Sequence, residues 1–346
     1  RLPEKRFRDA VRDDCDVFEL YAKTGANGNA YTSFDQTVYT FSCTDNYAES
    51  LAILLDFVQD PYFTEQTVEK ERGIIAQEIK MCSDSPERQC FYNLLKALYK
   101  YHPVRIDIAG TVGSIQEITP ELLYKCYNAF YDLHNMILVL AGNIDEDEVL
   151  AVCDEHLKPA KDEELEVSFP DEPYEVAQEV IEQSFTVGTP LFNIGFKCDP
   201  VDGSELIKRQ LCADVLIQLI SNSASPLYKR LYEQGLINNA FSSEVFFGKG
   251  YFSCIFEGES NEPFKVRDMI IQEIERIKKE GIDSDRFEII KKSMYGGLVW
   301  EFNNTEICAN YLLSSGLFGI DLFETTDILA AMTEDDLLQS IDTLFD

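Results

Sequence analysis

Histidine is scarce in this chain. Among 346 residues there are three, His102, His134 and His156. No two are four residues apart, so no helix turn can offer a histidine pair to a metal. Long apolar runs are missing too. The longest, Met136-Ile137-Leu138-Val139-Leu140-Ala141, is far short of the ~20 residues a membrane helix requires. No signal-peptide pattern opens the sequence. It begins on Arg1 instead of methionine, which implies a preceding segment. Positive charge is in deficit, with 30 basic residues against 62 acidic and a net charge of −32. That balance disfavours nucleic acid and anionic membrane as partners, since both need a basic footprint. It suits a basic or extended peptide, or simply a soluble acidic surface. The ten cysteines contain no CxxC pair. They read as reduced, mostly packed thiols of a cytoplasmic protein, and none stands out as a nucleophile. No glycine-rich phosphate loop occurs. Gly25 and Gly28 suit turns, and Gly296-Gly297 inside a helical pattern suggests close helix packing or a kink.

What is present describes a folded, two-part chain. The length exceeds what one core usually serves, and 45% apolar with 12% aromatic residues can fill sizeable cores. A strand runs from Ala30 to Phe34 and on through Thr37 to Phe41, after loop chemistry at residues 24–29. A helix follows with Asn46 as its cap and Glu49 in a capping-box position, stopping at Pro61. Thr64 caps the next helix, and Pro86 to Tyr101 forms another. Thr119-Pro120-Glu121 starts a further helix, Met136 to Ala141 reads as a buried strand, and a helix spans Asp145 to Leu157. Pro, Asp and Glu dissolve the pattern from Lys158 to Glu175, which marks a domain linker. The order then returns: strand at Phe192–Phe196, helix at Glu205–Ser221, strands at Ala240–Phe247 and Gly250–Glu257, two long helices at Pro263–Glu280 and Asp283–Asn303, and a last helix capped by Thr333.

Short echoes accompany that order. Asn29-Ala30-Tyr31-Thr32-Ser33 resembles Asn239-Ala240-Phe241-Ser242-Ser243, and Tyr39-Thr40-Phe41-Ser42-Cys43 resembles Tyr251-Phe252-Ser253-Cys254. Two homologous α+β domains, residues 1–165 and 166–346, each an antiparallel-rich sheet with helices on one face, account for the pattern.

The segment VEKERGIIAQEIKM, residues 68–81, poses a chemical question. At 100° per residue, Glu71 and Glu78 lie about 20° apart on one helical arc. Ile74, Ile75 and Cys82 read as sharing that arc, which would turn two acids toward a core. Inward carboxylates are tolerable when a dication or a basic group neutralises them.

The loop-strand Asn27 to Thr32, the turn Asp56-Phe57-Val58-Gln59-Asp60-Pro61 and this Glu-rich helix resemble the M16 metallopeptidases, the family of insulinase, pitrilysin and the mitochondrial processing peptidases. His102-Pro103 through Gly110-Thr111, Asn135-Met136-Ile137-Leu138-Val139 to Gly142-Asn143, and Ser225-Pro226-Leu227-Tyr228 to Gly235-Leu236 extend the resemblance over nearly the whole chain. It is nearest to a bacterial M16-like subgroup linked to elongation-factor P modification or peptide maturation. The resemblance implies zinc as the cofactor, held by two histidines of an HxxEH motif, with the motif glutamate as general base. Glu78 takes the position of the third, glutamate ligand and Glu71 that of its acidic partner. Arg230 takes the position of a substrate-binding arginine, but Ile237 stands where a tyrosine is expected. No HxxEH occurs. In one alignment Arg1-Leu2-Pro3-Glu4-Lys5 is a decayed motif, with Glu4 in the general-base position and two cations that cannot ligate zinc, so that no metal binds. In the other, the motif precedes the first residue and the first strands of the N-terminal domain are cut away. The functions implied are a zinc metallopeptidase acting on peptides or unfolded polypeptide, or a non-catalytic M16-like subunit that binds peptide or completes an active homologue. Either would work as a homodimer or as a heterodimer with another M16 protein.

Overall fold

The computed structural model describes residues 16–160 and 167–345. Contacts divide the chain into two compact units. One gathers the chain up to Ile79 with Gly110–Val167 and Asn304–Leu313, and the other gathers Lys80–Ala109, Ser168–Asn303 and the chain from Ser314 onward.

In the first unit, α1 (Val17–Thr24) is capped by Asp16, which accepts from the Phe18 N–H, and ends on Gly25 at φ 79°. That left-handed backbone is the conformation glycine adopts without a Cβ penalty. The expected single strand over Ala30–Phe41 is instead two: β1 (Asn27–Thr32) and β2 (Thr37–Ser42), paired antiparallel from Asn27↔Ser42 to Thr32↔Thr37. Ser33 N–H donates to the Gln36 carbonyl at 2.8 Å and closes the turn between them. The β-branched and aromatic run names a strand but carries no sign of the reversal inside it. Next comes α2 (Tyr47–Gln59), which buries Ser50, Leu51, Ile53 and Leu55. Asn46 does not cap it. Its backbone is left-handed at φ 55°, and its amide donates to the Thr24 carbonyl at 3.1 Å, so the side chain ties α1 to α2 instead.

Two helices of this unit begin where expected. Thr64 caps α3 (Glu65–Ser83) through the Thr67 N–H. After α4, described below with the second unit, and the short α5 (Val112–Ile115), Thr119 caps α6 (Pro120–Phe130). Met136 to Ala141 does not form the expected strand, and Ile137 and Leu138 are 45% and 41% exposed. An apolar run becomes a strand only beside a backbone that pairs with it. Among the described residues the sheet of this unit holds β1 and β2 alone. The unit also contains α7 (Glu146–His156), capped by Asp145.

The second unit is built on a three-stranded antiparallel sheet in the order β3-β5-β4: β3 (Leu191–Cys198), β4 (Ser242–Gly248) and β5 (Tyr251–Glu259). The helix α4 (Pro86–Leu98) lies on β3 at Gly195, where an added Cβ would come within 2.9 Å of Leu94 and Leu98 methyl groups. The core is filled by α8 (Ser204–Ser221), buried nearly all round from Leu206 to Ser221. Such a helix shows little amphipathic pattern, because every face has a neighbour. Around it stand α9 (Pro226–Glu233), α10 (Pro263–Glu280), α11 (Ser284–Glu301), α13 (Leu322–Ala331) and α14 (Glu334–Leu344), with α12 (Thr305–Phe318) divided between the units. Thr333 and Asp336 close the reciprocal capping box of α14. Gly296 and Gly297 do not mark a close helix approach: a Cβ on either would meet nothing within 4 Å.

The echoing sequence pairs fall on matching pieces. Asn29–Ser33 and Tyr39–Cys43 overlap the β1–β2 hairpin, and Asn239–Ser243 and Tyr251–Cys254 overlap the β4–β5 hairpin. Two units of helices, each with a small antiparallel sheet, are thus the architecture among the described residues.

Candidate functional site

The helix α3 answers the question posed by its two acids. Val68 and Ile79 are its buried residues, and Glu71 and Glu78 are both exposed. At 100° per residue the two acids lie about 70–90° from the Val68–Ile79 line, so they flank the core face. Of the residues expected to share their arc in a core, Ile74 is 53% exposed and Ile75 and Cys82 are only partly buried. The helix is held by Arg72, whose guanidinium donates to the Ile115 carbonyl at 3.2 Å and the Ile118 carbonyl at 2.8 Å and pairs with Glu69. A buried-side arginine satisfies backbone carbonyls and leaves the acidic stripe to solvent. Glu4, with Arg1 and Lys5, lies outside the described residues.

Each histidine is committed elsewhere. His102 is buried, its Nδ1 accepts from the Val104 N–H at 3.1 Å, and its Nε2–H donates to the Lys249 carbonyl at 3.1 Å. Burial holds its pKa below the ordinary histidine value, and the paired bonds fix one neutral tautomer. His134 lies in the short 3-10 helix Leu133–Asn135, where its Nδ1 lies 3.0 Å from Asp132. His156, in the last turn of α7, sits 2.8 Å from Asp56 of α2. Among the described residues no group of three His, Cys, Asp or Glu side chains could hold a metal. These residues therefore do not make a zinc site by themselves, and no hydrolytic step follows from them alone.

Two clusters in the second unit were not visible in the sequence. In the first, Glu172 accepts from the backbone N–H groups of Lys100, Tyr101 and His102 at 2.7–2.8 Å. It also pairs with Lys197 at 2.6 Å, the two side chains being 9% and 6% exposed. Burial by itself would raise the Glu172 pKa, but Lys197 and the three N–H donors bring it down to about 2. The stretch read as a domain linker is fastened at Glu172, and the chain just beyond it where Ala177 and Gln178 N–H donate to the Ala97 carbonyl. A pocket beside the pair is lined by Tyr99, His102, Phe169 and Pro200, among others. The polar groups of this pair are already satisfied by one another.

The second cluster contains Arg230. Its Nη2 donates to Glu273 Oε2 at 2.7 Å. Glu273 Oε1 accepts from Arg276 Nη2 at 2.8 Å and Nε at 3.1 Å. The Glu273 side chain is 2% exposed, whereas Arg230 and Arg276 are 48% and 39% exposed. With Met269 and Gln272 they line an open concavity. Ile237, seven residues beyond Arg230, is buried in the core. Only the Glu273–Arg276 spacing of three on one helix hinted at this cluster, since Arg230 is 43 positions away from Glu273.

Comparison with known proteins gives the class. Residues 10–112 match the family model "Insulinase (Peptidase family M16)" and residues 117–294 match "Peptidase M16 inactive domain". The chain is 37% identical over 341 residues to the uncharacterized zinc protease YmfH of Bacillus subtilis (strain 168), covering 97% of this chain and 79% of that protein. A crystal structure of an M16-like peptidase from Alicyclobacillus acidocaldarius superposes with a TM-score of 0.90 at 34% identity, covering 95% of this chain and 79% of the other. The mitochondrial-processing peptidase subunit beta of Caenorhabditis elegans is 28% identical over 138 residues, 40% of this chain and 30% of its own length.

The fold is thus that of the two-domain peptidases whose relatives are named zinc proteases. The chain belongs to peptidase family M16. No helix among the described residues is long and apolar enough to cross a membrane.

Proposed function

We propose that this chain is an M16 zinc peptidase that acts on peptides or unfolded polypeptide. The observation that carries the reading is the pair of exposed carboxylates, Glu71 and Glu78, on one stripe of α3. They are solvent-facing acids on a well-anchored helix, available to a cation and to ligands from another segment. Glu78 is the zinc ligand in this reading, Glu71 its acidic partner, and Arg230 a substrate-binding residue. Glu4 holds the general-base position in the alignment that places the motif at residues 1–5. The residues named do not complete the ligand set. When bound, zinc would supply an activated water for peptide hydrolysis.

The same reading divides the chain near residue 165 into an N-terminal M16 domain and a C-terminal M16 repeat. It places the protein in the cytoplasm, in keeping with scattered cysteines that form no CxxC pair. Pairing with a second copy or another M16 protein is part of it, since relatives include a processing-peptidase subunit named as one subunit of an assembly.

Zinc content by elemental analysis and cleavage of fluorescein-labelled β-casein by the purified full-length protein test the reading together. About one zinc per chain is expected, with Glu78→Gln losing both metal and cleavage. Full zinc occupancy and unchanged cleavage in Glu78→Gln would overturn the assignment of α3.

A further inference from the structure

The Arg230 cluster is built in a way that a loose surface ion pair is not. A carboxylate that is 2% exposed costs several kcal/mol to bury unless both of its oxygens are satisfied. Here each oxygen has its own guanidinium. Oε1 takes two N–H groups of Arg276 from one turn along the same helix, α10. That leaves Oε2 for the Nη2 of Arg230 on α9. Arg276 is steadied from its other side by Glu280 at 3.4 Å. Burial by itself would raise the Glu273 pKa, yet the two arginines hold it below the ordinary carboxylate value, so the acid stays ionised at neutral pH.

The consequence falls on Arg230. A guanidinium carries five N–H donors in a fixed plane. One donor of Arg230 is anchored on a buried oxygen, which restrains the side chain, and Arg230 lines the concavity together with Met269, Gln272 and Arg276. An arginine on a flexible stem loses side-chain entropy when it takes a ligand, and one already held loses less. Arg230 gives one of its donors to Glu273 Oε2, while the second carboxylate of the cluster, Glu280, lies against Arg276. Arg230 therefore favours ligand atoms that accept hydrogen bonds.

We propose that Glu273 is a positioning residue, held in place by Arg276, that presents Arg230 to the carbonyl oxygens of a bound peptide. The inference rests on the reading that Arg230 meets substrate.

The test uses the full chain and fluorescein-labelled β-casein as the probe, with the dissociation constant read by anisotropy and folding followed by circular dichroism. Arg230→Ala is expected to weaken binding roughly ten-fold or more, the size of a lost charge-assisted hydrogen bond. Glu273→Gln is expected to weaken it by a comparable factor, and the double variant should bind no worse than Arg230→Ala alone, because both changes remove one interaction. Arg276→Gln, at a half-exposed position, should weaken binding several-fold while the fold persists, and it serves if Glu273→Gln does not fold. Multiplicative losses in the double variant would overturn the positioning role. So would a lowered melting temperature with unchanged affinity in Glu273→Gln and Arg276→Gln. If Arg230→Ala binds casein as the parent does, the reading of Arg230 falls and the inference with it. A weakened Arg230→Ala beside unaffected Glu273→Gln removes the inference alone.

Discussion

Replacing Glu172 by glutamine should cost the second unit a large part of its stability at neutral pH, and the loss should fade in acid. The carboxyl sits at about 2 in the folded protein against an ordinary 4.5. At about 1.4 kcal/mol per pKa unit, that difference of roughly 2.5 units corresponds to an upper value of about 3 kcal/mol. A second route gives a similar figure. Removing one partner of a buried pair leaves the other charge uncompensated, typically for about 3–5 kcal/mol, and Lys197 is 6% exposed. The sign follows from the direction of the shift. A carboxyl with a depressed folded pKa contributes stability in full above 4.5, and that contribution disappears as pH falls from 4.5 toward 2. Urea unfolding followed by far-ultraviolet circular dichroism, at several pH values from 7 down to 3, measures it. Glu172→Gln should unfold at a clearly lower urea concentration than the parent at pH 7, and the two midpoints should converge as the pH is lowered through 4.5. Equal midpoints at pH 7, or a gap that stays constant down to pH 3, would refute the argument that this ion pair fastens the segment.

Asp214 in α8 shows the opposite dependence. Burial lifts its pKa from 3.8 to about 7, so the folded state binds the proton more tightly and stability declines as pH rises from about 4 to about 7. Asp214→Asn should flatten that decline and leave the protein up to about 4 kcal/mol more stable than the parent at pH 8, read from urea midpoints across that range. At Gly195, where a Cβ would sit 2.9 Å from two leucine methyls, Gly195→Val should destabilise by about 1–3 kcal/mol through overpacking, seen as a lower melting temperature. Leu216→Ala, at a fully buried position of α8, should cost about 2–5 kcal/mol in the same measurement through the cavity it leaves.

Helices were the legible part of this sequence, because their signals are local. Thr64, Thr119, Asp145 and Thr333 each cap the helix that follows them. Asn46 looked the same in sequence and does something else, since the left-handed backbone at that residue aims its amide at Thr24. Strands were less legible. The apolar run from Met136 has the composition of a strand, but pairing depends on a distant backbone that composition does not report. The amphipathic reading of α3 placed Glu71 and Glu78 on one arc correctly. It misjudged which arc is buried, because Arg72 can lie on the inner side when backbone carbonyls receive it. The family was legible from ordered short motifs. Glu172 and Glu273 were not, because their partners stand 25 and 43 residues away, beyond any periodic pattern.

The two echoing hairpins have very different surroundings. Strand β1 is exposed or partly exposed along its whole length, while six consecutive residues of β5, from Tyr251 to Phe256, are buried. Amide protons exchange with solvent through local openings, whose free energy rises with the packing that must be broken. Deuterium should therefore enter the first hairpin early and reach β5 and α8 only through near-global opening, so that two segments of similar sequence keep time on very different clocks.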